Sequence, residues 1–319
     1  MSTVAAGNRL RVIVTVALCA VGLMAQDALA TRVSAARGSR FGVGVTQRTF
    51  VRPSASWGAR TLDATIWYPA AHAAAAAVVD NASPAPGRFH LIVYSHGGCG
   101  GRPQAIAPLA AKVVGEGFVF VQFPHPGSTT DDCAANGERY TRALLERPDD
   151  IVYLLDQLAR LDRDPAWSLR GHIDVSRIGI IGHSQGGQTA LMMPAIDARV
   201  RATLSISPSV AHPDVPPAEW QAIARARVPV MIMHGADDSE WTSEGPRKAY
   251  DSLPAKTPRA YLEIAGMGHT PRAQDQVALV VGYAVALFRR YLDDDRRVNP
   301  MLRASAAPPN VNFTSSRFP

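Results

Sequence analysis

Five residues near the middle of the chain constrain its fold more than any other segment. They read G-H-S-Q-G at 182–186, and they follow an apolar run at 177–181 and precede a helical pattern that begins at Gln185. A strand–turn–helix corner of this kind strains the backbone of the central serine and lifts its hydroxyl above a sheet. A Cβ at either flanking glycine would clash with the adjoining strand and helix. The pattern predicts that Ser184 is a nucleophile, whereas the bare motif without this context usually marks only a turn.

Apolar runs alternate with helical patterns on both sides of this corner. The runs cover 90–95, 118–123, 177–181, 202–206, 228–233 and 260–264, and the helical patterns cover 104–114, 138–161, 185 onward and 277–292. This alternation predicts an α/β fold with a mostly parallel sheet and helices on both faces. Two earlier strands, 43–51 and 61–68, have no helix between them and should form an antiparallel edge, which makes eight strands. We expect the helix at 138–161 to be interrupted near Arg147-Pro148.

The chain shows no internal repeat and no break that suggests a second folded domain. We expect one domain over 31–292, with an Ala-rich loop at 71–87 and a small cap at 208–222 that carries Trp220. Residues 293–319 are expected to be a polar, poorly ordered tail.

The first thirty residues have the three parts of an export signal. Arg9 and Arg11 are followed by an apolar run at 12–24 and by Ala-Leu-Ala at 28–30, so cleavage is expected after Ala30. The alternatives are a buried first helix or a membrane anchor. Because no later segment reaches 18 apolar residues, we expect a secreted or periplasmic chain without stable membrane insertion.

Composition excludes several classes of function. Although the net charge is +6, the arginines are scattered and form no basic stripe, so nucleic-acid binding is not expected. Three cysteines without a C-x-x-C pair, and no His/Asp/Glu cluster with ligand spacing, argue against a metal site. Neither a G-K-[ST] phosphate loop nor a dinucleotide fingerprint is present, so no cofactor is expected.

A serine nucleophile needs a base, and the base needs an orienting acid. The corner and the parallel sheet are typical of α/β hydrolases, in which the acid and then the histidine follow the serine along the chain. His269, in the loop after the last predicted strand, is the candidate base; the alternative is a surface histidine. Asp237 and Asp238 both follow the run at 228–233, and we favour Asp238, three residues after Gly235, as the acid.

An oxyanion hole requires two N–H donors. The amide of Gln185 follows the nucleophile, and the glycine-rich loop at 95–101 should supply the second donor, which we assign to Gly98. The other histidines have more ordinary interpretations. His183 and His234 are expected to be structural, His96 to hydrogen-bond its own loop, and His125 to lie at the active edge, where it could line the pocket.

Four segments carry a resemblance to a known family: S-H-G-G from Ser95, H-P-G-S-T-T from His125, R-P-D-D-I-V-Y-L-L-D-Q-L from Arg147 and G-H-S-Q-G-G from Gly182. The chain over 41–292 resembles exported bacterial α/β hydrolases described as dienelactone hydrolases. It is also similar to type-II platelet-activating-factor acetylhydrolases and, more distantly, to polyester hydrolases. The resemblance implies the triad Ser184, Asp238 and His269, with oxyanion donors at Gly98 and Gln185. Dienelactone hydrolases use a cysteine where this chain has Ser184, so their substrate does not carry over.

These observations predict a serine carboxylic ester hydrolase that works through an acyl-enzyme. Trp220, Trp241 and Met267 near the expected site, with few cations, favour neutral, moderately apolar esters, whether small molecules, lipids or polyesters. An amidase or peptidase on the same triad, or a non-catalytic binding module, are the alternatives. The sequence leaves acyl-chain length, alcohol identity and oligomeric state open.

Export would leave Cys99 and Cys133 as the only cysteines, in a compartment that oxidises thiols. The two follow strands expected to be neighbours about 5 Å apart, and both loops lie at the same edge of the sheet. We therefore expect a disulfide between them; the alternative is two free thiols.

Overall fold

The structure is a computed structural model that describes residues 40–319 except 72–77, 134–136 and 211–216. The predicted export signal lies outside the described residues, as do parts of the Ala-rich connector and of the expected cap.

The described residues form one ten-stranded sheet with the order β10-β9-β8-β7-β6-β4-β5-β2-β1-β3. The strands are β1 (Gly42–Ser54), β2 (Gly58–Ala70), β3 (Val78–Asp80), β4 (Phe89–Ser95), β5 (Val119–Gln122), β6 (Ile173–His183), β7 (Val200–Ile206), β8 (Val230–Gly235), β9 (Arg259–Ile264) and β10 (Val311–Ser316). The α-helices are α1 (Pro103–Gly115), α2 (Gly137–Leu161), α3 (Gln185–Ile196), α4 (Pro217–Ile223), α5 (Glu244–Ser252) and α6 (Gln274–Tyr291). Strands β4 to β9 are parallel, and β1 and β2 form the antiparallel pair that the sequence predicts.

Helices cover both faces of this sheet because each helix has one apolar side. Helices α1 and α6 pack with residues such as Val113 and Phe288 on one face. Helices α2 and α3 pack with Leu154 and Met193 on the other. This two-layered cover buries β4, β6 and β7 from both sides, which explains their continuous apolar runs.

The prediction of eight strands is wrong. The connector contributes β3, which pairs parallel with β1, and the expected tail contributes β10, which pairs antiparallel with β9. Residues 293–319 are therefore not a poorly ordered tail: two short 3₁₀ helices, Arg296–Leu302 and Ala304–Ala306, precede β10. Val311 and Phe313 on β10 are buried in the core.

The expected interruption of α2 is also wrong, since the helix runs through Pro148. Proline removes one backbone hydrogen bond and crowds the preceding turn. Here the flanking residues Arg147 and Asp150 are fully buried and hydrogen-bonded to other elements. These bonds connect the helix next to the proline to β2 and to the loop after β5.

Candidate active site

Ser184 lies at the sharp corner between β6 and α3. Its backbone has φ 55° and ψ −120°, a conformation that residues other than glycine rarely adopt. A Cβ at Gly182 would overlap the carbonyl of Gly186, and a Cβ at Gly186 would overlap the carbonyl of Ser95. Because only glycine fits at both positions, the corner closes tightly and presents Ser184 to a cavity.

Asp238 and His269 form a hydrogen-bonded pair beside this corner. Asp238 lies in the turn after β8, and His269 in the loop between β9 and α6. The His269 Nδ1 lies 2.8 Å from the Asp238 Oδ2, and the backbone N–H groups of Glu240 and Trp241 each donate to Oδ1 at 2.9 Å. Burial opposes ionisation of the carboxyl, but the hydrogen bonds from His269 and from the backbone outweigh it and lower the pKa of Asp238. The carboxylate is thus fixed in charge and orientation.

Asp237, the alternative acid, points elsewhere. It is exposed, whereas the Asp238 side chain is fully buried against His269. The structure therefore brings Asp238, and not Asp237, to the histidine.

Two more histidines lie beside the Asp238–His269 pair. Burial lowers the pKa of His183 to about 4, so its ring is neutral near pH 7. Its Nε2 lies 2.9 Å from the His269 carbonyl and must donate, because a carbonyl only accepts. Burial also lowers the pKa of His234, which lies 3.8 Å from Asp238. The hydrogen bond from His183 holds the His269 loop, which is the structural role expected for His183.

The glycine-rich loop after β4 lies opposite Ser184. Gly98 and Gln185, the predicted oxyanion donors, line the same cavity as Ser184 and His269. His96 Nδ1 lies 2.6 Å from the Gly97 carbonyl, and its Nε2 accepts the His125 N–H at 2.8 Å. His96 thus bonds its own loop, as expected.

A disulfide joins Cys99, next to Gly98, to Cys133. The two Cα atoms are 5.4 Å apart and 34 residues apart in sequence. The Cys99 N–H also donates to the Ser128 carbonyl at 3.1 Å, so hydrogen bonds as well as the disulfide join the loops after β4 and β5.

Thiol titration of the denatured, unreduced protein should find no reactive thiol from this pair. Replacing both cysteines by serine is expected to lower the free energy of unfolding by about 4 kcal/mol. The reason is that the disulfide joins residues 34 positions apart and so restricts the unfolded chain. The double variant is the matched control for titration and urea unfolding alike. Two reactive thiols in the mature wild-type chain would contradict the disulfide.

The cavity at the site has a volume of about 600 Å³. Its inner wall is apolar and includes Tyr94, Ile106, Leu109, Ile206 and Val280. Of the three apolar residues expected near the substrate, Trp241 lines the cavity. Trp220 packs in a separate core with α4 and α5, and Met267 is fully buried elsewhere. Among the described residues that line the cavity, Arg102 is the only arginine or lysine, and Asp131 lies 3.5 Å from its guanidinium.

His125 does not line the cavity. It is fully buried, with Nε2 3.1 Å from the Ser95 hydroxyl and Nδ1 3.1 Å from Asp150 Oδ2. Burial lowers the pKa of His125 to about 4. The neutral ring therefore donates to Asp150 and accepts from Ser95. Ser95, His125 and Asp150 therefore form a second Ser-His-Asp arrangement, which is buried away from substrate. It supports the active site structurally.

Three further charged residues support the site and were not predicted from the sequence: Arg60, Arg147 and Asp150. Asp150 accepts hydrogen bonds from Arg60 Nε at 2.8 Å and Nη2 at 2.6 Å. A signal was present: Arg147 and Asp150 each stand four residues before a buried apolar residue of α2, so both lie on its core-facing stripe. A charged residue on such a stripe implies a buried partner.

Within the described residues, no group of three or more His, Cys, Asp or Glu side chains could hold a metal ion. Among the same residues, no helix combines the length and apolar character needed to cross a bilayer.

The fold and the comparisons together define the class: the chain is an α/β hydrolase of the carboxylic ester hydrolase type. A family model described as PET hydrolase-like matches residues 27–317, so the chain belongs to the PET hydrolase-like family. This confirms the predicted α/β-hydrolase superfamily and enzyme class, and it does not single out dienelactone hydrolases within that superfamily.

Named relatives agree. Over 63% of its length, the chain is 28% identical to Cutinase 2 of Thermobifida cellulosilytica, covering 68% of that protein. It is equally identical to Cutinase cut1 of Thermobifida fusca, of which it covers 56%. Over 51% of its length, it is 27% identical to the bis(hydroxyethyl) terephthalate hydrolase of Streptomyces coelicolor, and it covers 49% of that protein.

Proposed function

We propose that this chain hydrolyses carboxylic esters through an acyl-enzyme on Ser184, with His269 as base, Asp238 as its orienting acid, and the amides of Gly98 and Gln185 as oxyanion donors. The observation that carries the proposal is the buried Asp238–His269 pair at a cavity that Ser184 also lines. The strained backbone of Ser184 supports it, because such strain persists only where the surrounding structure imposes it.

The reaction proceeds in two balanced halves. The Ser184 hydroxyl oxygen bonds to the ester carbonyl carbon while its proton passes to His269, and the oxyanion forms opposite Gly98 and Gln185. The tetrahedral centre collapses, the C–O bond to the alcohol breaks, and His269 gives the proton to the leaving alkoxide. Water then attacks the acyl-enzyme by the same path and releases the carboxylic acid. Asp238 stabilises the imidazolium that forms in each half.

The proposed substrates are neutral, moderately apolar esters, including lipid or polyester chains. The apolar inner wall of the cavity suits a hydrocarbon or aromatic acyl group. The names of the relatives, cutinases and a terephthalate ester hydrolase, point to the same class.

A fluorophosphonate probe and a series of p-nitrophenyl esters test this proposal. The wild-type chain should label once, on Ser184, and hydrolyse the esters, while Ser184→Ala should do neither. Faster turnover of peptides or of dienelactone would favour the alternative substrates. Absence of labelling in the wild type would favour a non-catalytic binding module.

Glu240 is expected to select against anionic esters. Its exposed carboxylate lines the cavity and lies 3.6 Å from His269 Nε2. Glu240→Gln should raise the ratio of kcat/KM for p-nitrophenyl hemisuccinate to kcat/KM for p-nitrophenyl butyrate about threefold. The effect is small because an exposed charge acts weakly and is screened by salt. Asp237→Asn, also exposed on this loop, is the matched control. An equal gain with both esters would contradict charge selection.

We also propose that residues 1–30 direct export and that cleavage after Ala30 leaves Thr31 as the mature N-terminus. The proposal is supported by the basic, apolar and small-residue segments of 1–30 and by the disulfide. Mass spectrometry of the protein from periplasmic and culture fractions tests it; an intact Met1 would contradict it.

A further inference from the structure

Arg147 is a buried arginine of α2 whose guanidinium reaches the glycine-rich loop. The residue is fully buried. Its Nη1 donates to the His96 carbonyl, while Nη2 lies 3.0 Å from the Ser128 hydroxyl and 3.4 Å from the Gly97 carbonyl. A guanidinium is costly to bury, so the loop is favoured in the conformation that turns carbonyls toward it.

This arrangement fixes the peptide between Gly97 and Gly98. The Gly97 carbonyl faces Arg147 and also accepts from His96 Nδ1 at 2.6 Å. In a planar trans peptide, the carbonyl and the following N–H point in opposite directions. The Gly98 N–H therefore points away from Arg147, and Gly98 lines the cavity on that side.

The glycines of the loop cannot impose this orientation by themselves. It reads G-G-C-G-G at 97–101, and glycine peptides rotate at little steric cost. A Cβ at Gly97 would lie 3.3 Å from the Ser184 Cβ and 3.0 Å from His183 Nδ1, so a stiffer residue there would crowd the site. The hydrogen bonds that the Gly97 carbonyl accepts from His96 and Arg147 therefore set the orientation.

We propose that Arg147 is a positioning residue: it holds the Gly97 carbonyl on the α2 side of the loop and so aims the Gly98 N–H at the oxyanion. This inference rests on the proposed function, in which Gly98 is an oxyanion donor. Arg147 acts together with His96, which the His125 N–H holds in place at 2.8 Å. The Ser128 hydroxyl connects the same guanidinium to the loop that carries the disulfide partner Cys133.

The test compares Arg147→Lys and Arg147→Met with the wild type. Lysine keeps the charge but cannot reach three acceptors, and methionine keeps the volume alone. We expect kcat per titrated site to fall about 10- to 100-fold, somewhat less than the loss of a whole oxyanion donor, with KM within about twofold. Affinity for a trifluoromethyl ketone, which forms a tetrahedral oxyanion on Ser184, should fall by the same factor.

Arg259→Lys is the matched control, because Arg259 also donates to backbone carbonyls, those of Tyr250 at 2.9 Å and Leu253 at 2.6 Å, and does not line the cavity. Fluorophosphonate titration to completion counts the active sites, so partial unfolding lowers the count and not kcat per site. An unchanged kcat per site in either Arg147 variant would overturn the inference. A wild type that neither labels nor hydrolyses esters would overturn the proposed function itself.

Discussion

Replacing Ser184 by alanine should lower kcat for p-nitrophenyl butyrate by roughly 10⁴- to 10⁶-fold. The loss is large because only binding and the oxyanion donors remain once the nucleophile is gone. His269→Ala should lose about as much, and the double variant no more than either, since the two residues act as one unit. Steady-state rates give the loss, and a thermal melt that matches the wild type shows that the fold is intact.

The neighbouring carboxylates provide an internal control for the acid. Asp238→Asn should lower kcat about 10⁴-fold, because the amide favours the wrong tautomer of His269. Asp237→Asn should change kcat by less than about twofold, because that side chain is exposed. If Asp237→Asn is the more damaging of the two, the proposed acid is wrong.

Asp150→Asn should lower the free energy of unfolding by about 3 to 5 kcal/mol, the usual cost of leaving a buried charge without its partner. Asp150 accepts from Arg60 through two nitrogens and from Arg52 Nε at 2.8 Å. Burial opposes its ionisation, but the hydrogen bond from Arg60 and the other partners lower the pKa of Asp150 to about 2. The neutral amide would leave the fully buried Arg60 uncompensated. Urea unfolding at neutral pH measures the loss.

Asp149→Asn is the control for this change. Asp149 is the preceding residue, its side chain is 70% exposed, and its carboxylate lies 3.9 Å from Arg52. We expect its loss to cost less than about 1 kcal/mol. Similar losses of unfolding free energy in Asp149→Asn and Asp150→Asn would show that the buried contacts of Asp150 with Arg60 and Arg52 do not carry the effect.

The parts of the fold that the sequence predicted are those encoded locally. The parallel strands are continuous apolar runs, and the corner at Ser184 requires glycines two residues away on either side. Asp238 could be favoured over Asp237 because it lies three residues after Gly235 in the turn that follows β8. Such features need no knowledge of distant residues.

The features that were missed depend on distant partners. Strand β10 presents two apolar residues, Val311 and Phe313, and becomes a strand only because β9 offers an edge. Helix α2 continues through Pro148, and beside the proline Asp150 bonds Arg60, 90 residues earlier in the chain. The local pattern of apolar residues predicts neither β10 nor the continuous helix, since both depend on tertiary contacts.

Strand β10 also has a consequence for how molecules of this protein meet one another. It occupies the outer hydrogen-bonding side of β9, from Ile264 opposite Val311 to Arg259 opposite Ser316. A chain shortened to Leu292 would present those bare amide and carbonyl groups to other copies, and exposed edges of this kind template intermolecular pairing and aggregation. Residues 293–319 therefore protect the protein against aggregation. Removing them for crystallisation or display would risk precipitation.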